Sequence, residues 1–405
     1  MSDMNERRGV PEGWDRSGLA PWTYLNDELA EIEKDKLFRR HWQLACHVSN
    51  LPERGSYITF DMAGERAIVM RGEDGQVRAF HNLCRHRGSR VLDKKRGVCK
   101  KVMICPFHGW GYNLDGTLRS PSAPESLPKL DSVEHGLKPI ELDIWMGFVF
   151  LRFLPGDQPR ISELLARHEE EVTPYNAEEM VPVYGGFWRQ EMAVNWKAVR
   201  DVDNEGYHVP MAHPGLQDLY GKNYYDEPIV NGTNRSFAEL TESPSHLWSV
   251  RHYKKILPDF QNLPASSKRA WLYIGIFPNT VISFYPESAA FYQEFPLASG
   301  RTVQRGATYR YAEESRAMRL SRYLSERIDK LTTEEDTQLI KWTCEAMESS
   351  AFDGIILSDR EYGVRAYHDK LRELLPVMAM PKAPAPGTVA TVNARLSEER
   401  AEAEE

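Results

Sequence analysis

The chain has 405 residues, of which 41% are hydrophobic and 27% charged, a balance typical of a folded globular protein with one large or two ordinary domains. Its formal net charge of −8 argues against a nucleic-acid partner. The first residues lack an apolar core, and no apolar run reaches the roughly 18 residues that span a membrane. The sequence therefore predicts a cytoplasmic protein without a signal peptide or membrane segment.

The first third of the chain predicts a helical segment followed by an all-β domain. Residues 1–40 form the helical segment, with a helix expected in NDELAEIEKDKLFRRHW. Over residues 41–155, short β-rich runs follow one another, and GEDGQ between two of them signals a hairpin. DIWMGFVFLRF predicts a further pair of strands before a Pro/Gly-rich break.

The remainder predicts a second, larger domain over residues 156–380. Antiparallel strands are expected near residues 270–310, with turns at FPNT, PES and ASG, and several helices follow them. Residues 381–405 are Pro/Ala-rich and then charged, which predicts a mobile tail. The expected fold class is α+β.

Two Cys/His pairs indicate a metal site in the β domain. Cys84 and His86 form one pair, Cys105 and His108 form the other, and 18 residues separate the two. Zinc accepts such a donor set. A [2Fe–2S] cluster fits better, because each half offers one thiolate and one imidazole, so that one iron takes two sulfurs and the other two nitrogens. Five scattered cysteines are too few for a disulfide framework.

The position of these pairs also favours iron and sulfur over zinc. Each pair is expected in a turn after a strand rather than on a finger helix. Gly88 and Gly109 follow the pairs directly, and we expect them to let the backbone approach a cluster and donate N–H groups to its sulfurs.

The segments CRHRGSRV and CPFHGWGYNLDGTL together resemble the Rieske [2Fe–2S] motif of the Rieske non-haem iron oxygenases. The likeness extends over nearly the whole predicted β domain. It implies an all-β Rieske domain, and a catalytic domain with a curved antiparallel sheet covered by helices. Ser89 and Gly111 stand where the Rieske proteins of respiratory complexes carry further cysteines, so no disulfide is expected.

A second candidate site lies in GYHVPMAH, which contains His208 and His213. Such a pair alone is more often structural than metal-binding. The resemblance implies a mononuclear Fe(II) held by two histidines and one aspartate, which leaves positions open for O₂. The later segment TTEEDTQ resembles the region of the family's aspartate, near the start of a helix, and implies Asp336 as the third ligand. Glu334 and Glu335 are the alternatives.

Glu205, three residues before His208, is expected to support both metal sites. In the family, an acid at this position bridges the Rieske histidine of one chain to the iron histidine of the next. The resemblance therefore implies a path from His108 through Glu205 to His208. Asp201 and Asp203 depart from the family's usual residues here, and their roles stay open.

The resemblance implies the terminal oxygenase of a multicomponent system. Electrons come from a separate NAD(P)H-dependent flavin/iron–sulfur reductase, since this chain lacks a dinucleotide fingerprint. A head-to-tail homotrimer is implied. Two other classes are weighed: a purely electron-transferring Rieske protein, which would leave GYHVPMAH unused, and a zinc-binding structural protein.

Two substrate classes compete. An aromatic cage suits N-demethylation of a quaternary ammonium or betaine-type compound, which we prefer. An apolar slot suits hydroxylation or cis-dihydroxylation of an aromatic ring or aromatic acid, with Arg251 or Arg310 holding the acid. The candidate lining residues are Trp188, Trp248, Tyr253, Trp271, Tyr273, Phe284, Tyr285, Phe291 and Tyr292.

Overall fold

The computed structural model describes residues 10–404, which divide into two compact units. The smaller unit comprises residues 38–167 and 176–182, and the larger unit comprises the described residues 10–37, 168–175 and 183–404. The sequence predicts the domain boundary at residue 155. The structure continues the smaller unit to residue 167 and so includes the short helix Ile161–Leu164 in it. Residues 1–9 of the predicted N-terminal segment lie outside the described residues.

The smaller unit is built from three antiparallel sheets, with strand orders β1-β10-β9, β4-β3-β2-β5 and β6-β7-β8. The central strand β3 buries its middle residues without alternation because both faces are covered. The predicted strands before and after GEDGQ and the predicted pair in DIWMGFVFLRF are confirmed, whereas the sequence did not single out the short strands around the two Cys/His pairs. The strands of this unit are ten in number among the described residues. They are β1 (Gln43–His47), β2 (Ser56–Met62), β3 (Glu65–Arg71), β4 (Val77–His81), β5 (Arg96–Val98), β6 (Val102–Ile104), β7 (Gly111–Asn113), β8 (Leu118–Ser120), β9 (Glu141–Trp145) and β10 (Phe148–Arg152).

The larger unit contains a seven-stranded antiparallel sheet with the order β11-β17-β16-β15-β14-β13-β12. The three turns predicted near residues 277–300 join consecutive strands from β14 to β17. With its helices, this sheet confirms the α+β fold class. The strands are β11 (Val181–Met192), β12 (Tyr224–Asp226), β13 (Thr233–Glu239), β14 (Ala270–Ile276), β15 (Thr280–Tyr285), β16 (Ser288–Ala298) and β17 (Arg301–Arg310).

The helices of the described residues belong to the larger unit, apart from α3. A π-helical turn over Lys34–Phe38 follows α2, and short 3-10 turns link several elements. The α-helices are α1 (Trp22–Leu25), α2 (Asp27–Glu33), α3 (Ile161–Leu164), α4 (Glu169–Val172), α5 (Trp196–Asp203), α6 (Val209–Ala212), α7 (Pro214–Leu219), α8 (Trp248–Ile256), α9 (Arg316–Met347), α10 (Tyr362–Leu374) and α11 (Val389–Glu404).

Helix α9 is a single 32-residue helix where the sequence predicts several shorter ones. The β-branched Thr332, Thr333 and Thr337 do not interrupt it. Each of these hydroxyls donates a hydrogen bond to the carbonyl four residues earlier, which lets a threonine stay within a helix. The prediction of several helices is therefore wrong.

The structure places a helix, α11, where the sequence predicts a mobile tail. Val389 and Asn393 at its start are buried, and the Glu28 carboxylate accepts hydrogen bonds from the N–H groups of Gly387 (2.6 Å) and Val389 (3.3 Å). The residues after Val389 are mostly Ala, Glu, Arg and Leu, which are good helix formers. Their helical propensity outweighs the charge run from which mobility is predicted.

No helix within residues 10–404 is both long and apolar enough to cross a bilayer.

Candidate active site

The two Cys/His pairs lie on loops of matching geometry in the smaller unit. Cys84 and His86 follow β4, while Cys105 and His108 join β6 to β7. The N–H group of Cys84 donates to the Ser89 carbonyl (2.7 Å), and that of Cys105 donates to a carbonyl five residues ahead (2.9 Å). Each loop therefore folds back directly after its cysteine.

Gly88 and Gly109 close these two loops. Each has a φ of +74°, a conformation that strongly favours glycine. Their N–H groups donate to the carbonyls of Cys84 (2.9 Å) and Cys105 (3.0 Å). The expectation that they donate to cluster sulfurs is therefore wrong; they shape the turns that present the thiols and imidazoles.

The four side chains form a donor set that fits a Rieske cluster. The thiols of Cys84 and Cys105 are buried, and the rings of His86 and His108 meet edge to face with centroids 4.7 Å apart. Burial raises the pKa of the Cys84 thiol, so a thiolate there requires a nearby cation. All five cysteines are free thiols.

Neighbouring aromatic residues fix this donor set. Trp110 stacks on the His86 ring at a centroid distance of 5.0 Å and an interplanar angle of 3°. The Tyr112 hydroxyl lies 3.2 Å from the Cys84 Sγ atom and accepts a hydrogen bond from the Arg85 N–H group (2.9 Å). Sequence reasoning did not assign these two aromatic residues a role.

The second site, in the larger unit, is shaped by two prolines around a single helical turn. His208 immediately precedes α6, and Pro210 occupies its first turn, where no N–H group is needed. Pro214 disfavours helical geometry at His213, which adopts φ −123° and ψ 80°. The helix therefore stops at His213, and the two imidazoles turn toward the same point.

Three donor atoms converge at that point. The Nε2 atoms of His208 and His213 are 3.1 Å apart. The Oδ1 atom of Asp336 lies 2.8 Å from the His213 Nε2 atom and 3.6 Å from the His208 Nε2 atom. Two ligands each about 2.1 Å from one ion and about 90° apart are about 3.0 Å from each other. The three spacings therefore fit a common metal ion.

The hydrogen bonds of the two histidine Nδ1 atoms leave the Nε2 lone pairs of His208 and His213 directed at the point where the donors converge. Glu205 binds the Nδ1 atom of His208, and Glu335 binds that of His213 (2.8 Å). A carboxylate accepts only, so each Nδ1 atom carries the proton and each Nε2 atom of a neutral ring is unprotonated. Two lone pairs and a carboxylate oxygen with no proton between them call for a cation.

The protonation equilibria agree with a cation site. Burial opposes a positive charge on His208, yet the hydrogen bond and charge of Glu205 outweigh it and raise the pKa of the ring. The pKa of His213 is raised against burial in the same way by Asp336 and Glu335. The acids around the two imidazoles thus attract positive charge to this point.

Glu335 and Asp336 were alternatives for the carboxylate ligand, and the structure gives them different positions. Asp336 faces the two Nε2 atoms, Glu335 holds the far side of His213, and Glu334 is largely exposed. Asp336 lies in the middle of α9 rather than near a helix start, so that expectation is wrong. Adjacent helix positions point about 100° apart, which separates the contacts of the two acids.

The open question of Asp201 and Asp203 is answered by their partners. Asp201 accepts hydrogen bonds from the Tyr24 hydroxyl (2.6 Å) and binds His368 (2.7 Å). Asp203 pairs with Arg200 (2.8 Å) and accepts from the Tyr292 hydroxyl (3.2 Å). Asp201 thus joins three segments of the chain, while Asp203 lies in the cavity wall beside the triad.

A cavity of about 600 Å³ opens beside the triad. His208, His213 and Asp336 form part of its wall, and aromatic rings form much of the remainder. Five of the nine predicted lining residues lie in this wall: Trp188, Tyr273, Tyr285, Phe291 and Tyr292.

Four predicted lining residues lie elsewhere, namely Trp248, Tyr253, Trp271 and Phe284; of these the last three are buried. Three aromatic residues missed by sequence reasoning, Tyr184, Tyr220 and Tyr224, do line the cavity. Tyr220 and Tyr224 come from the segment directly after His213, so their closeness to that residue in sequence was an available signal.

The side chains that line the cavity include more acids than lysines and arginines. Arg251 and Arg310, the candidate anchors for an aromatic acid, are not among the lining residues, and Arg310 donates to the carbonyls of Tyr311 and Ala312. Six described acids line the cavity against two described bases. The acids are Asp203, Glu205, Glu326, Asp329, Glu334 and Asp336, and the bases are Arg200 and Lys330.

Two family models match the chain. The model described as "Ring hydroxylating alpha subunit (catalytic domain)" matches residues 171–376. The model described as "Rieske [2Fe-2S] domain" matches residues 41–131. Together they contain both candidate metal sites.

Curated relatives include oxygenase subunits for methylated ammonium compounds. The glycine betaine monooxygenase oxygenase subunit of Pseudomonas aeruginosa is 36% identical over 193 residues, which cover 48% of this chain and 44% of that protein. The chain thus matches less than half of that relative's length. The carnitine monooxygenase oxygenase subunit of Escherichia coli is 25% identical over 92% of this chain and 99% of its own length.

Solved structures share the fold. A quaternary ammonium Rieske monooxygenase in complex with L-carnitine has a TM-score of 0.73 and 21% identity, covering 92% of this chain and 98% of that chain. Naphthalene 1,2-dioxygenase with indole bound has a TM-score of 0.70 and 18% identity, covering 95% and 96%. Both an amine-oxidising and an arene-oxidising protein therefore have this architecture.

Proposed function

Because the chain belongs to the ring hydroxylating alpha subunit family and carries a Rieske [2Fe-2S] domain, we propose that it is the terminal oxygenase component of a multicomponent oxygenase. Its substrate is a quaternary ammonium compound that loses an N-methyl group. Electrons come from NAD(P)H through a separate flavin/iron–sulfur reductase. The observation that carries this proposal is the acidic, tyrosine-walled cavity beside three converging metal donors.

In this proposal the two sites hold different iron centres. Cys84, His86, Cys105 and His108 hold the [2Fe–2S] cluster. His208, His213 and Asp336 hold a mononuclear Fe(II), which supplies the binding and activation of O₂. The donor chemistry of both sites supports these roles.

Glu205 positions His208 and links the two centres across a subunit boundary. Its carboxylate holds the Nδ1 proton of His208 and also accepts from the backbone N–H groups of Tyr207 and His208. These bonds fix the orientation of the imidazole. In a head-to-tail homotrimer, the same acid would receive His108 of the neighbouring chain.

The cavity wall binds the substrate cation. The rings of Tyr220, Tyr224, Tyr273, Tyr285 and Tyr292 line it together, and tyrosine faces attract a quaternary ammonium group through their quadrupoles. Of the two lining bases, Arg200 is occupied by Asp203 (2.8 Å) and Glu294 (3.5 Å). An aromatic acid would therefore lack a buried anchor.

The proposed reaction balances with one O₂ and two electrons. A C–H bond of the N-methyl group becomes a C–O bond, and the resulting N–CH₂OH group breaks its C–N bond. Formaldehyde leaves with one oxygen atom, and the nitrogen retains the electron pair as a protonated tertiary amine. The second oxygen atom becomes water, with two electrons supplied by NAD(P)H.

A substrate panel tests this function. The iron-loaded protein is mixed with a surrogate reductase, NADH and either methylated amines (choline, glycine betaine, carnitine) or aromatic acids (benzoate, salicylate). We expect formaldehyde in step with O₂ uptake from at least one amine. If an aromatic acid gives O₂ uptake coupled to ring oxygenation and no amine gives formaldehyde, the substrate is an aromatic compound and the proposed amine substrate is wrong.

A further inference from the structure

Asp329 is an acid of the cavity wall that lies outside the group of metal donors. Asp329 lies on α9 seven residues before Asp336, which is almost two full helical turns. The two side chains therefore point to the same side of the helix, about 10.5 Å apart along its axis. Both line the cavity.

Asp329 differs from the other acids of the wall in its partners. Its carboxylate accepts from the Tyr285 hydroxyl, at 3.0 and 3.1 Å, and that hydroxyl lies 3.2 Å from the Tyr273 hydroxyl. No Arg, Lys or His among residues 10–404 forms an ion pair with it. By contrast, Asp203 pairs with Arg200 (2.8 Å) and Glu326 with Arg322 (3.1 Å).

We propose that Asp329 is the counter-ion for the ammonium group of the substrate and selects molecules with a net positive charge. The inference rests on the proposed function and adds to it the residue that recognises the charge. Tyr273 and Tyr285 supply aromatic surface beside the carboxylate, so the cation meets a charge and a quadrupole together.

Burial supports this assignment. It raises the pKa of Asp329 to about 8, with Glu287 and Glu326 adding to the increase and the Tyr285 hydroxyl opposing it. The carboxyl group of the empty cavity is thus mostly protonated at neutral pH, and a bound cation ionises it. The titratable groups that interact with it are Tyr220, Tyr253, Tyr273, Tyr285, Glu287 and Glu326, with Lys330 next to it on α9.

The wall also disfavours a carboxylate on the substrate. Arg200 is buried and already pairs with two acids. The Lys330 side chain is 77% exposed, and its Nζ atom lies 3.8 Å from Glu334. A zwitterion would therefore place its carboxylate among acids without a buried base, whereas a choline-like cation brings no such group.

Calorimetric binding of choline to the holoenzyme tests the inference. The variants are Asp329→Asn, which keeps the shape and removes the charge, and Glu345→Gln, which changes an exposed acid of the same helix that does not line the cavity. We expect Asp329→Asn to weaken binding by roughly tenfold to a hundredfold and Glu345→Gln to change it by about twofold at most. Titrations in buffers of different ionisation enthalpy should show proton release in the wild type that is absent in Asp329→Asn.

A neutral probe separates charge from shape. 3,3-Dimethyl-1-butanol replaces the nitrogen of choline by carbon, and we expect it to bind the wild type and Asp329→Asn alike. Equal binding of choline to wild type and Asp329→Asn, equal losses in Glu345→Gln and Asp329→Asn, or tighter binding of glycine betaine than of choline would overturn the inference. A failure of the proposed function appears differently, as absent iron-dependent turnover of every amine.

Discussion

At the residue scale, Glu205 and Glu335 each hold the outer nitrogen of an imidazole that faces the metal point. Such carboxylates fix the tautomer and orientation of a ligand histidine and commonly contribute 10–100-fold to metal affinity. Glu335 is the less expected of the two, because it immediately precedes the carboxylate of the triad in the chain.

Replacing Glu335 by Gln should lower the affinity for the mononuclear iron by roughly tenfold to a hundredfold. The His213 ring would keep at best a neutral amide acceptor in place of the carboxylate that holds its Nδ1 proton. The measurement is iron content after dialysis against graded chelator, with the cluster spectrum as an internal reference. Glu334→Gln, on the exposed face of the same helix turn, is the control; equal iron loss in both variants would refute a positioning role for Glu335.

Asp329 also predicts a pH effect on stability. Its pKa is about 8 in the folded protein against a usual value of 3.8, so the folded state binds more protons between these values. The free energy of unfolding must then fall as the pH rises from about 4 to about 8. In Asp329→Asn, the free energy of unfolding measured with denaturant should fall less over this pH range. If the free energies of wild type and variant change in parallel from about pH 4 to about pH 8, the assignment is contradicted.

At the element scale, α10 packs closely against the start of the segment that carries His208 and His213. A Cβ atom at Gly363 would lie 2.2 Å from the Asn204 carbonyl oxygen, so only glycine lets the helix approach so closely. Asn204 immediately precedes Glu205. The position of α10 therefore constrains the start of the GYHVPMAH segment.

Replacing Gly363 by Ala should force these two elements apart. We expect a loss of about 1–3 kcal/mol in the free energy of unfolding together with a lower iron content. Unfolding by denaturant and metal analysis measure the two effects. Gly300→Ala is the control, since no atom lies within 4 Å of its added Cβ; iron retention and unchanged stability in Gly363→Ala would show that the approach is not tight.

At the scale of the whole molecule, the proposed homotrimer requires electrons to cross between chains. A His108→Ala chain and a His213→Ala chain should each be inactive alone. Co-expressed in mixed oligomers, they should recover part of the activity, because one chain supplies the intact cluster and its neighbour the intact iron site. Isolated mixed oligomers that stay inactive would show that electrons do not pass between chains.

Much of this arrangement was predictable from the sequence. Motif and resemblance predicted that the two Cys/His pairs come together and that His208, His213 and Asp336 converge, and turn residues predicted the longer strands. The continuity of α9 was not predictable, because helix propensities do not include the hydrogen bonds that its threonine hydroxyls donate to the backbone. The partner of His213 and the position of Asp329 depend on helix phase and tertiary burial, which one sequence does not encode in a short-range pattern.

The most direct test of the central claim is a single turnover without any reductase. The holoenzyme is reduced chemically, freed of reductant, supplied with choline and then exposed to O₂. We predict that formaldehyde forms as the cluster is reoxidised, and that His213→Ala gives none while keeping its cluster spectrum. Reoxidation of the cluster without formaldehyde from choline or any other methylated amine would contradict the account.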